Sequence, residues 1–463
     1  MKEMKMKSKF LTLVLVIALA CIGISGCGKN VESSDADSSK TSGGKTELAF
    51  WCSYGTYKFN VLSEIVAEFN DSQDEYFIKM VNNGAASDVR TKLTTTKQEY
   101  YPSLFTGDPE TISSYAEAKY VKPIHTFLEA DEDKWTEDMY GVVKTTYSDL
   151  EGNMVGVPLG FSAGGFMVNV DLLKAAGYTL EDVTSYEKIV EISLAATKKG
   201  ICKYGIAHAD GNDLLGMLAI QGVDVIDADN GYSGDPTKSL LLEGETNSAI
   251  KKAMTLFASL YKAKAAYPFG SGGSGMGRSS FMAEELIFWR ATNSAVAEVN
   301  DANPSFEWSF IPSVGVDANA KYMGSALCGG TGLFICDTGD EVEMKGAYEF
   351  IKFLAEPQRQ VQWAVDCGYL PYTEDAANSP EYVAWMEENF PAAKKVTQML
   401  LNNPEGLGAP YVGIGNELLT AYYNLFSAVG ADPDGDMDTY IKEASTRIDE
   451  ALQILALRNK NNK

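Results

Sequence analysis

Histidine is scarce in this chain and cysteine is scattered. Only two histidines, His125 and His208, occur among 463 residues. Beyond the N-terminal segment the cysteines are Cys52, Cys202, Cys328, Cys336 and Cys367. Their number is odd and no two of them have the Cys-x-x-Cys spacing, so the pattern indicates neither a zinc site nor a disulfide framework. We expect small buried thiols, no metal and no cofactor, and leave open whether one pair is bridged.

Basic residues are also outnumbered. The chain has 39 Lys and Arg against 63 Asp and Glu, a formal net charge of −24. Nucleic acid is excluded as a partner, because phosphate binding requires clustered cations. An acidic surface keeps a protein soluble and away from an anionic membrane. The composition also argues against a highly charged anionic ligand, although one local arginine would suffice to bind an anion.

A single long hydrophobic run is present, and it ends at a cysteine. Lysines at positions 2, 5, 7 and 9 precede apolar residues 10–24, which together are typical of a secretory signal. The run is shorter than the roughly 20 residues that a membrane-spanning helix needs. The Ser25-Gly26-Cys27 ending resembles the lipobox of bacterial lipoproteins, in which the cysteine is acylated. We therefore predict a signal peptide at 1–26, lipidation of Cys27 and attachment to the outer face of the cell membrane.

Short strands and helices alternate after this N-terminal segment. Residues 27–45 are rich in Ser, Gly and Asp and are predicted to be a flexible tether. Apolar strands are expected at 47–51 and 76–81, with a helix between them that places Phe59, Leu62, Val66 and Phe69 on one face. This alternation predicts a parallel sheet covered by helices. Further strands are expected at 203–207, 283–289, 306–311 and 332–336, followed by a helical C-terminal third.

Three segments carry a resemblance to a known family. Gly-Val-Pro at 156–158 leads into FMVNVDLLKAAG at 166–177, in which the helix finishes at a glycine. GAYEFIKFLAEP at 346–357 precedes GYLP at 368–371, and Phe50-Trp51 stands on the opening strand. Together they resemble extracellular solute-binding proteins of ABC importers, of the maltose- and glycerol-3-phosphate-binding type, over residues 46 to about 455.

The resemblance implies an α/β, two-lobed periplasmic-binding-protein-like fold with hinge crossings and a helical C-terminal tail. The N-terminal lobe would comprise 46–160 with 309–368, and the C-terminal lobe 161–308 with 369–463. It also implies a binding protein rather than an enzyme. The lobes of a monomer would close over a small-molecule ligand and deliver it to ABC permease subunits. A lipid tether would keep the receptor close to its transporter.

Three candidate ligand contacts follow the opening strand. Trp51, Ser53 and Tyr54 stand at its carboxyl end, where open α/β sheets bind ligands. Core packing accounts for Trp51 equally well. The resemblance implies further contacts, namely Glu110, Ser162, Asp210, Trp289, Arg290, Asn293, Gly330, Tyr369 and Asn416.

Particular chemistry is expected of some of these residues. Glu110 would accept hydrogen bonds from ligand hydroxyls, with Asp108 as its rival and a helix N-cap as the alternative role of either. Trp289 would stack on a sugar ring or belong to the core, and Arg290 would bind hydroxyls or an anion. The glycerol-3-phosphate-binding members have a C-terminal arginine, whereas residues 410–416 here contain no cation. The pattern therefore favours a neutral sugar over glycerol phosphate, unless Arg290 substitutes for the arginine.

Two other functions share features with this pattern. An exported glycoside hydrolase would need a carboxylate pair at catalytic spacing, and nothing in the sequence isolates one. A receptor that presents its ligand to a membrane sensor would have the same sequence features as one that serves a permease. Residues 272–279 match a phosphate-binding loop in part, but arginine replaces lysine and no buried strand precedes them, so we interpret them as a connection.

Overall fold

The computed structural model describes residues 40–41, 44–132, 134–208, 211–268, 277–324, 328–403 and 410–462. The predicted signal peptide, Cys27 and most of the predicted tether lie outside these residues. Asp210 and residues 272–276 of the segment 272–279 also lie outside them. Residues from Lys40 onwards form one compact unit. Within the described ranges no helix combines the length and the hydropathy needed to cross a membrane.

The strands form two connected sheets. In chain order they are β1 (Lys40–Thr41), β2 (Lys45–Cys52), β3 (Tyr76–Asn82), β4 (Leu104–Gly107), β5 (Val121–Lys122), β6 (Val157–Asn169), β7 (Tyr204–Ala207), β8 (Leu286–Thr292), β9 (Trp308–Pro312) and β10 (Cys328–Cys336). The first sheet contains β1 to β5 and β10, and the second contains β7, β8 and β9. Strand β6 belongs to both, since residues 157–163 pair with β10 and residues 164–169 pair with β8 and β9.

Parallel pairing is confined to part of each sheet. β2 is parallel to β3 and β4, and β7 is parallel to β8. β10 runs antiparallel to β4, β5 and β6, and β6 runs antiparallel to β8 and β9. The prediction of a parallel sheet was therefore wrong for the crossing strands. A local alternation of strands and helices indicates the crossover connections that join parallel neighbours. β6 and β10 are antiparallel and more than 150 residues apart in the sequence, so local alternation does not predict their pairing.

Helices cover both sheets and make up most of the C-terminal third. They are α1 (Thr56–Ser72), α2 (Ala86–Thr95), α3 (Ile112–Ala116), α4 (His125–Leu128), α5 (Gly141–Thr146), α6 (Val170–Ala176), α7 (Tyr186–Lys198), α8 (Gly211–Gln221), α9 (Asp227–Asn230), α10 (Gly244–Lys262), α11 (Arg278–Met282), α12 (Val296–Ala302), α13 (Glu341–Ala355), α14 (Pro357–Cys367), α15 (Glu374–Ala377), α16 (Pro380–Asn389), α17 (Ala393–Asn402), α18 (Gly415–Ala431) and α19 (Met437–Asn462). Short 3-10 turns lie at Pro109–Thr111 and Asn293–Ala295.

Local sequence signals explain several of these elements. In α1 the side chains of Leu62, Val66 and Phe69 recur at helical spacing and are buried, as predicted. Helix α6 begins where Asn169 accepts a hydrogen bond from the backbone N–H of Leu172. It ends at Gly177, whose φ of 95° lies in the left-handed region that glycine adopts without strain.

The hydrophobic core has two main parts. The first contains Leu48, Phe105, Phe334 and Phe350 around the first sheet, and α14 adds Trp363 to it. The second lies around β7 and β8 and is covered by α10, α18 and α19. Phe390 at the end of α16 packs edge-on against Phe310 of β9, with ring centroids 5.8 Å apart. The lobe limits given above remain a prediction.

His208 is a buried histidine in the second core. Its Nε2 lies 2.9 Å from the Tyr186 hydroxyl, and the rings of Phe257 and Phe426 are 4.9 and 5.7 Å away. Burial, and then the positive charge of Arg290, lower the pKa of His208 to about 3. The imidazole is therefore neutral in the folded protein at pH 7.

This histidine should make the protein sensitive to acid. The unfolded chain binds a proton at His208 below pH 6.5, whereas the folded protein does so only near pH 3, so the free energy of unfolding falls as pH decreases through this window. His208→Gln removes the proton-binding group, and urea unfolding at pH 7 and pH 4.5 measures the difference. We expect the wild type to lose roughly 2–3 kcal/mol more than the variant between these pH values. Equal losses in the two proteins would contradict a buried neutral imidazole.

Candidate functional site

A polar cleft of about 730 Å³ lies where the two sheets meet. Its walls come from segments that are far apart in the sequence. The first sheet contributes the loop after β2, the turn after β4 and the start of β10. The second sheet contributes the end of β8, and helices α8 and α18 contribute their N-terminal turns. Ser162 and Gly164 of β6, the strand shared by the two sheets, also line the cleft.

Most of the predicted ligand contacts line this one cleft. The predicted residues on its walls are Ser53, Tyr54, Glu110, Ser162, Arg290, Gly330, Tyr369 and Asn416. Trp51, Trp289 and Asn293 do not line it, and Asp210 lies outside the described residues. The structure thus brings together residues that are up to 363 positions apart in the chain.

The two predicted tryptophans have other surroundings. The Nζ of Lys92 lies 3.7 Å from the centre of the Trp51 ring. Trp289 is only 2% exposed, and its ring centroid is 5.7 Å from that of Phe281. Side chains alternate between the two faces of a strand, so the cleft-lining Arg290 and its neighbour Trp289 point to opposite sides of β8. The structure therefore places Trp289 in the core, which was the alternative interpretation of this residue.

Asn293 connects two segments that pass between the sheets. Its side chain is fully buried. Its Oδ1 accepts a hydrogen bond of 2.6 Å from the backbone N–H of Ala163, and its Nδ2 donates one of 2.7 Å to the carbonyl of Gly368. Both side-chain groups are thus used to hold β6 against the segment that follows α14.

Glu110 and Ser162 face the same part of the cleft, next to the backbone of Gly329. A Cβ atom at position 329 would lie 3.5 Å from the Ser162 Oγ and 4.0 Å from Glu110 Oε1. Glu110 is placed there by the turn Pro109–Thr111, which directly follows β4. A carboxylate and a hydroxyl beside an unobstructed backbone can accept and donate hydrogen bonds to ligand hydroxyls.

Asp108, the rival of Glu110, belongs to a different interaction. Its Oδ2 lies 3.9 Å from Nη1 of Arg90, and Nη2 of the same arginine donates a hydrogen bond of 2.6 Å to Oδ1 of Asn416. The Asp108 side chain does not cap the turn that follows it. Arg90 therefore joins α2, behind the cleft wall, to the first turn of α18.

Aromatic rings form another wall of the cleft. Tyr369 is stacked on Trp363, with centroids 5.7 Å apart and an interplanar angle of 11°, and Tyr54 meets the same tryptophan edge-on at 5.6 Å. Burial, and then the neighbouring Tyr369, raise the pKa of Tyr54 well above its usual range. The Tyr369 ring also occupies the space where Gly160 lacks a side chain, since a Cβ there would come within 2.6 Å of it. Trp363 does not line the cleft itself but belongs to the core behind these two tyrosines.

Gly330 permits the close approach of β10 to β6. Its φ is +123°, and a Cβ at this position would lie 1.8 Å from the carbonyl oxygen of Gly160. No other residue fits without moving one of the two strands. Gly329 and Gly330 both line the cleft, so backbone groups rather than side chains face it on this side.

Arg290 forms a buried ion pair in the wall of the cleft. Its Nε lies 2.6 Å from Oδ1 of Asp213, and the side chains are 10% and 3% exposed, respectively. Nη1 of Arg290 also donates hydrogen bonds to the carbonyls of Ala291 and Gly165. The positive charge of Arg290 is therefore compensated by the protein itself. Sequence analysis missed Asp213, whose only signal was its position in the first turn of a helix after a strand.

Two further cations, neither of them predicted, line the cleft. Nη1 of Arg278 lies 2.8 Å from Oε2 of Glu298. The Nζ of Lys58, in the first turns of α1, donates a hydrogen bond of 3.0 Å to the hydroxyl of Ser294 and lies 4.6 Å from the centre of the Tyr369 ring. Lys58 and Ser294 are 236 residues apart in the sequence.

The cysteine side chains that the structure describes are buried thiols. Cys52, Cys202, Cys336 and Cys367 are free and buried, and burial raises the pKa of Cys52 and of Cys367 to about 12. Such thiols are protonated and unreactive at neutral pH. Among the residues that the structure describes, no group of three or more His, Cys, Asp or Glu side chains is arranged to hold a metal ion.

Comparison with known proteins identifies relatives along most of the chain. Residues 64–392 match the sequence model of the family described as bacterial extracellular solute-binding protein. The sn-glycerol-3-phosphate-binding periplasmic protein UgpB of Yersinia pestis is 24% identical over 367 residues, which cover 78% of this chain and 81% of that protein. UgpB of Shigella flexneri is 25% identical over 297 residues, covering 62% of this chain and 65% of the relative.

Solved structures agree on the fold. The sugar-binding protein MalE of Xanthomonas citri superposes with a TM-score of 0.71 at 18% identity, covering 90% of this chain and 99% of the other. UgpB of Mycobacterium tuberculosis, in complex with glycerophosphocholine, gives 0.70 at 17% identity, with coverages of 90% and 100%. A Listeria monocytogenes ABC substrate-binding protein in complex with cycloalternan gives 0.71 at 18% identity, with coverages of 88% and 99%.

The predicted fold class and family are confirmed. The architecture is the two-lobed α/β fold of these binding proteins, with a helical C-terminal region. The relatives are named as binding proteins, for sn-glycerol 3-phosphate or for sugar. The chain belongs to the bacterial extracellular solute-binding protein family.

Proposed function

We propose that this protein is the membrane-tethered, substrate-binding component of an ABC importer and that it captures a carbohydrate. The observation that carries the proposal is the cleft itself, where Glu110 and Ser162 face one space beside the bare backbone of Gly329. Its volume of about 730 Å³ lies in the range usual for small-molecule sites, roughly 300–1,000 Å³. Structural relatives named as sugar-binding, or solved with an oligosaccharide, support this ligand class.

The lining suits a polyhydroxylated ligand. Hydroxyls of a sugar both donate and accept hydrogen bonds, and the carboxylate of Glu110 accepts from donors more strongly than a neutral group does. Asn416 and Ser53 add further polar groups, and Tyr369 offers an aromatic side chain. We assign ligand contact to these residues together with Tyr54, Ser162, Arg290 and Gly330.

The second candidate ligand is glycerol 3-phosphate or a related polyol phosphate. The name of the 24% identical relatives favours it. Two features of this chain argue against a polyol phosphate ligand. Residues 410–416 contain no cation, and Arg290 is already paired with Asp213. A doubly charged phosphate in this cleft would lack a guanidinium that is available to neutralise it.

The transport cycle would use closure of the two lobes and attachment of the tether to the membrane. We propose that the lobes, 46–160 with 309–368 and 161–308 with 369–463, close about the segments that cross between the sheets, and that the closed monomer docks on the permease. Acylation of Cys27 would hold the protein at the outer face of the membrane. These assignments rest on the sequence pattern and on the family.

A thermal-shift screen tests the ligand class. The chain from Lys40 onwards, which forms one compact unit, would be heated with mono- and oligosaccharides, polyols and glycerol phosphates. A ligand that binds only the folded protein stabilises it by about 2.7 kcal/mol at a hundredfold excess over Kd. A shift with a sugar is the expected result. A shift with glycerol 3-phosphate alone would favour the second candidate, and turnover of a glycoside would contradict a binding-only role.

Glu110 provides a sharper test of the site. Glu110→Gln keeps the shape of the side chain and removes its charge, so a sugar ligand should lose about 1–3 kcal/mol of binding free energy. Isothermal titration calorimetry with the sugar found in the screen measures this loss as a fivefold to 150-fold rise in Kd. Glu47→Gln is the matched control, because Glu47 lies on β2 and pairs with Lys79 on β3, outside the cleft lining. Equal Kd values for wild type and Glu110→Gln would place the ligand elsewhere.

A further inference from the structure

Lys58 differs from the other cations of the cleft. Its ammonium group donates one hydrogen bond to the neutral Ser294 hydroxyl and lies against the Tyr369 ring. No carboxylate of the described residues lies within 4.0 Å of its Nζ. An ammonium group carries three donors, so two remain for other partners.

The neighbouring cations are each compensated by a carboxylate. Arg290 is paired with Asp213 at 2.6 Å, and Arg278 with Glu298 at 2.8 Å. Arg90, behind the cleft wall, faces Asp108 at 3.9 Å. Asp301 also lines this end of the cleft but is an exposed side chain. The cleft therefore has one cation, Lys58, that the described protein groups leave without an ion pair.

Two hydroxyl groups lie beside the ammonium group of Lys58. The Ser294 Oγ that receives the lysine hydrogen bond lies 2.8 Å from the Thr292 Oγ1, and both residues line the cleft. An ammonium beside two hydroxyls is suited to an oxyanion, which accepts charge-assisted and neutral hydrogen bonds together. Glu110, which is suited to ligand hydroxyls, lines the cleft on the turn after β4.

We propose that the natural ligand is a polyhydroxylated molecule with a single negative charge, either a uronic-acid-type carboxylate or a phosphodiester, and that Lys58 binds this charge with Ser294 and Thr292. The inference rests on the proposed function: an acidic sugar would narrow its carbohydrate class, and a phosphodiester would narrow its second candidate, the polyol phosphates. One ammonium compensates one negative charge, whereas a phosphate monoester carries about −1.5 to −2 at pH 7. The strongly acidic composition of the chain also disfavours a ligand of higher negative charge.

Calorimetry with matched probes tests the inference on the chain from Lys40 onwards. Cellobiouronic acid is compared with cellobiose, and glycerophosphoglycerol with glycerol 3-phosphate. We expect at least one of the two singly charged probes to bind at least tenfold tighter than its partner. Lys58→Met should weaken that probe tenfold or more, in line with the usual value of a charged hydrogen bond, and Lys58→Arg should restore most of the affinity. Lys79→Met, at an exposed lysine on β3, is the control and should change nothing.

The outcomes separate this inference from the proposed function. If cellobiose or another neutral sugar binds as tightly as the acidic probes and Lys58→Met has no effect, the sugar-binding function stands and the role of Lys58 is wrong. Tightest binding of glycerol 3-phosphate would also overturn the single-charge inference. Binding of cellobiouronic acid would assign the charge to a carboxylate, and binding of glycerophosphoglycerol to a phosphodiester. If no sugar, polyol or probe binds, both proposals fail.

Discussion

Asp213→Asn should lower the free energy of unfolding by about 3–5 kcal/mol, although it replaces one oxygen by an amide nitrogen. Asp213 and Arg290 are 3% and 10% exposed, so the remaining guanidinium would stay buried without a counter-charge. Urea unfolding at pH 7 measures the change. The variant should also bind ligand more weakly, because Arg290 would no longer be held against the carbonyls of Ala291 and Gly165.

Two control variants distinguish the cost of leaving a buried charge unpaired from the cost of losing any one charge. Asp438→Asn breaks the exposed pair with Lys251 and should cost at most about 1 kcal/mol. The double variant Asp213→Asn with Arg290→Met removes both charges, and should recover much of the stability because no unpaired ion remains. If Asp213→Asn were no more harmful than Asp438→Asn, the pair would have to be accessible to water in solution.

Trp289→Ala is expected to cost about 3–5 kcal/mol of stability as well, for a different reason. The indole is buried on the core side of β8, where its removal would leave a large apolar cavity next to Phe281. Because the ring does not line the cleft, the Kd of the folded variant should change by less than about twofold, a free-energy change below RT. Thermal unfolding and calorimetry on the same preparation provide both numbers.

From the sequence alone, Trp289 was expected either to stack on a sugar ring or to belong to the core. Trp289→Phe keeps an aromatic ring in the core and should lose less stability than Trp289→Ala. A large loss of affinity with little loss of stability in Trp289→Ala would return this residue to the binding site.

Elements defined by local chemistry were predictable. The face formed by Leu62, Val66 and Phe69 fixed α1, because one apolar stripe at helical spacing needs no information from the rest of the chain. The glycine at 177 ended α6 for an equally local reason. Family resemblance then supplied the two-lobed fold. It also named Glu110, Ser162, Gly330 and Tyr369, which line one cleft in the structure, and their contact with a ligand stays a prediction.

Pairing over long distances in the sequence was not predictable. Asp213 and Arg290 lie 77 positions apart, and neither has a neighbour that indicates the other. Lys58 on α1 and Ser294 in the turn after β8 are 236 positions apart and meet only in the folded chain. The direction in which Trp289 points depends on the register of β8 against β6, in which Met167 is its partner. A shift of one residue would exchange its face with that of Arg290.

By itself, the sequence of this protein determined several of its helices and strands, the family to which it belongs and the expectation of an exported binding protein, because these depend on local propensity, composition and segment patterns. Only the tertiary structure decided which charges are compensated and which polar side chains reach the cleft. That depends on strand register and on contacts between segments hundreds of residues apart, and a one-dimensional pattern does not encode their distances.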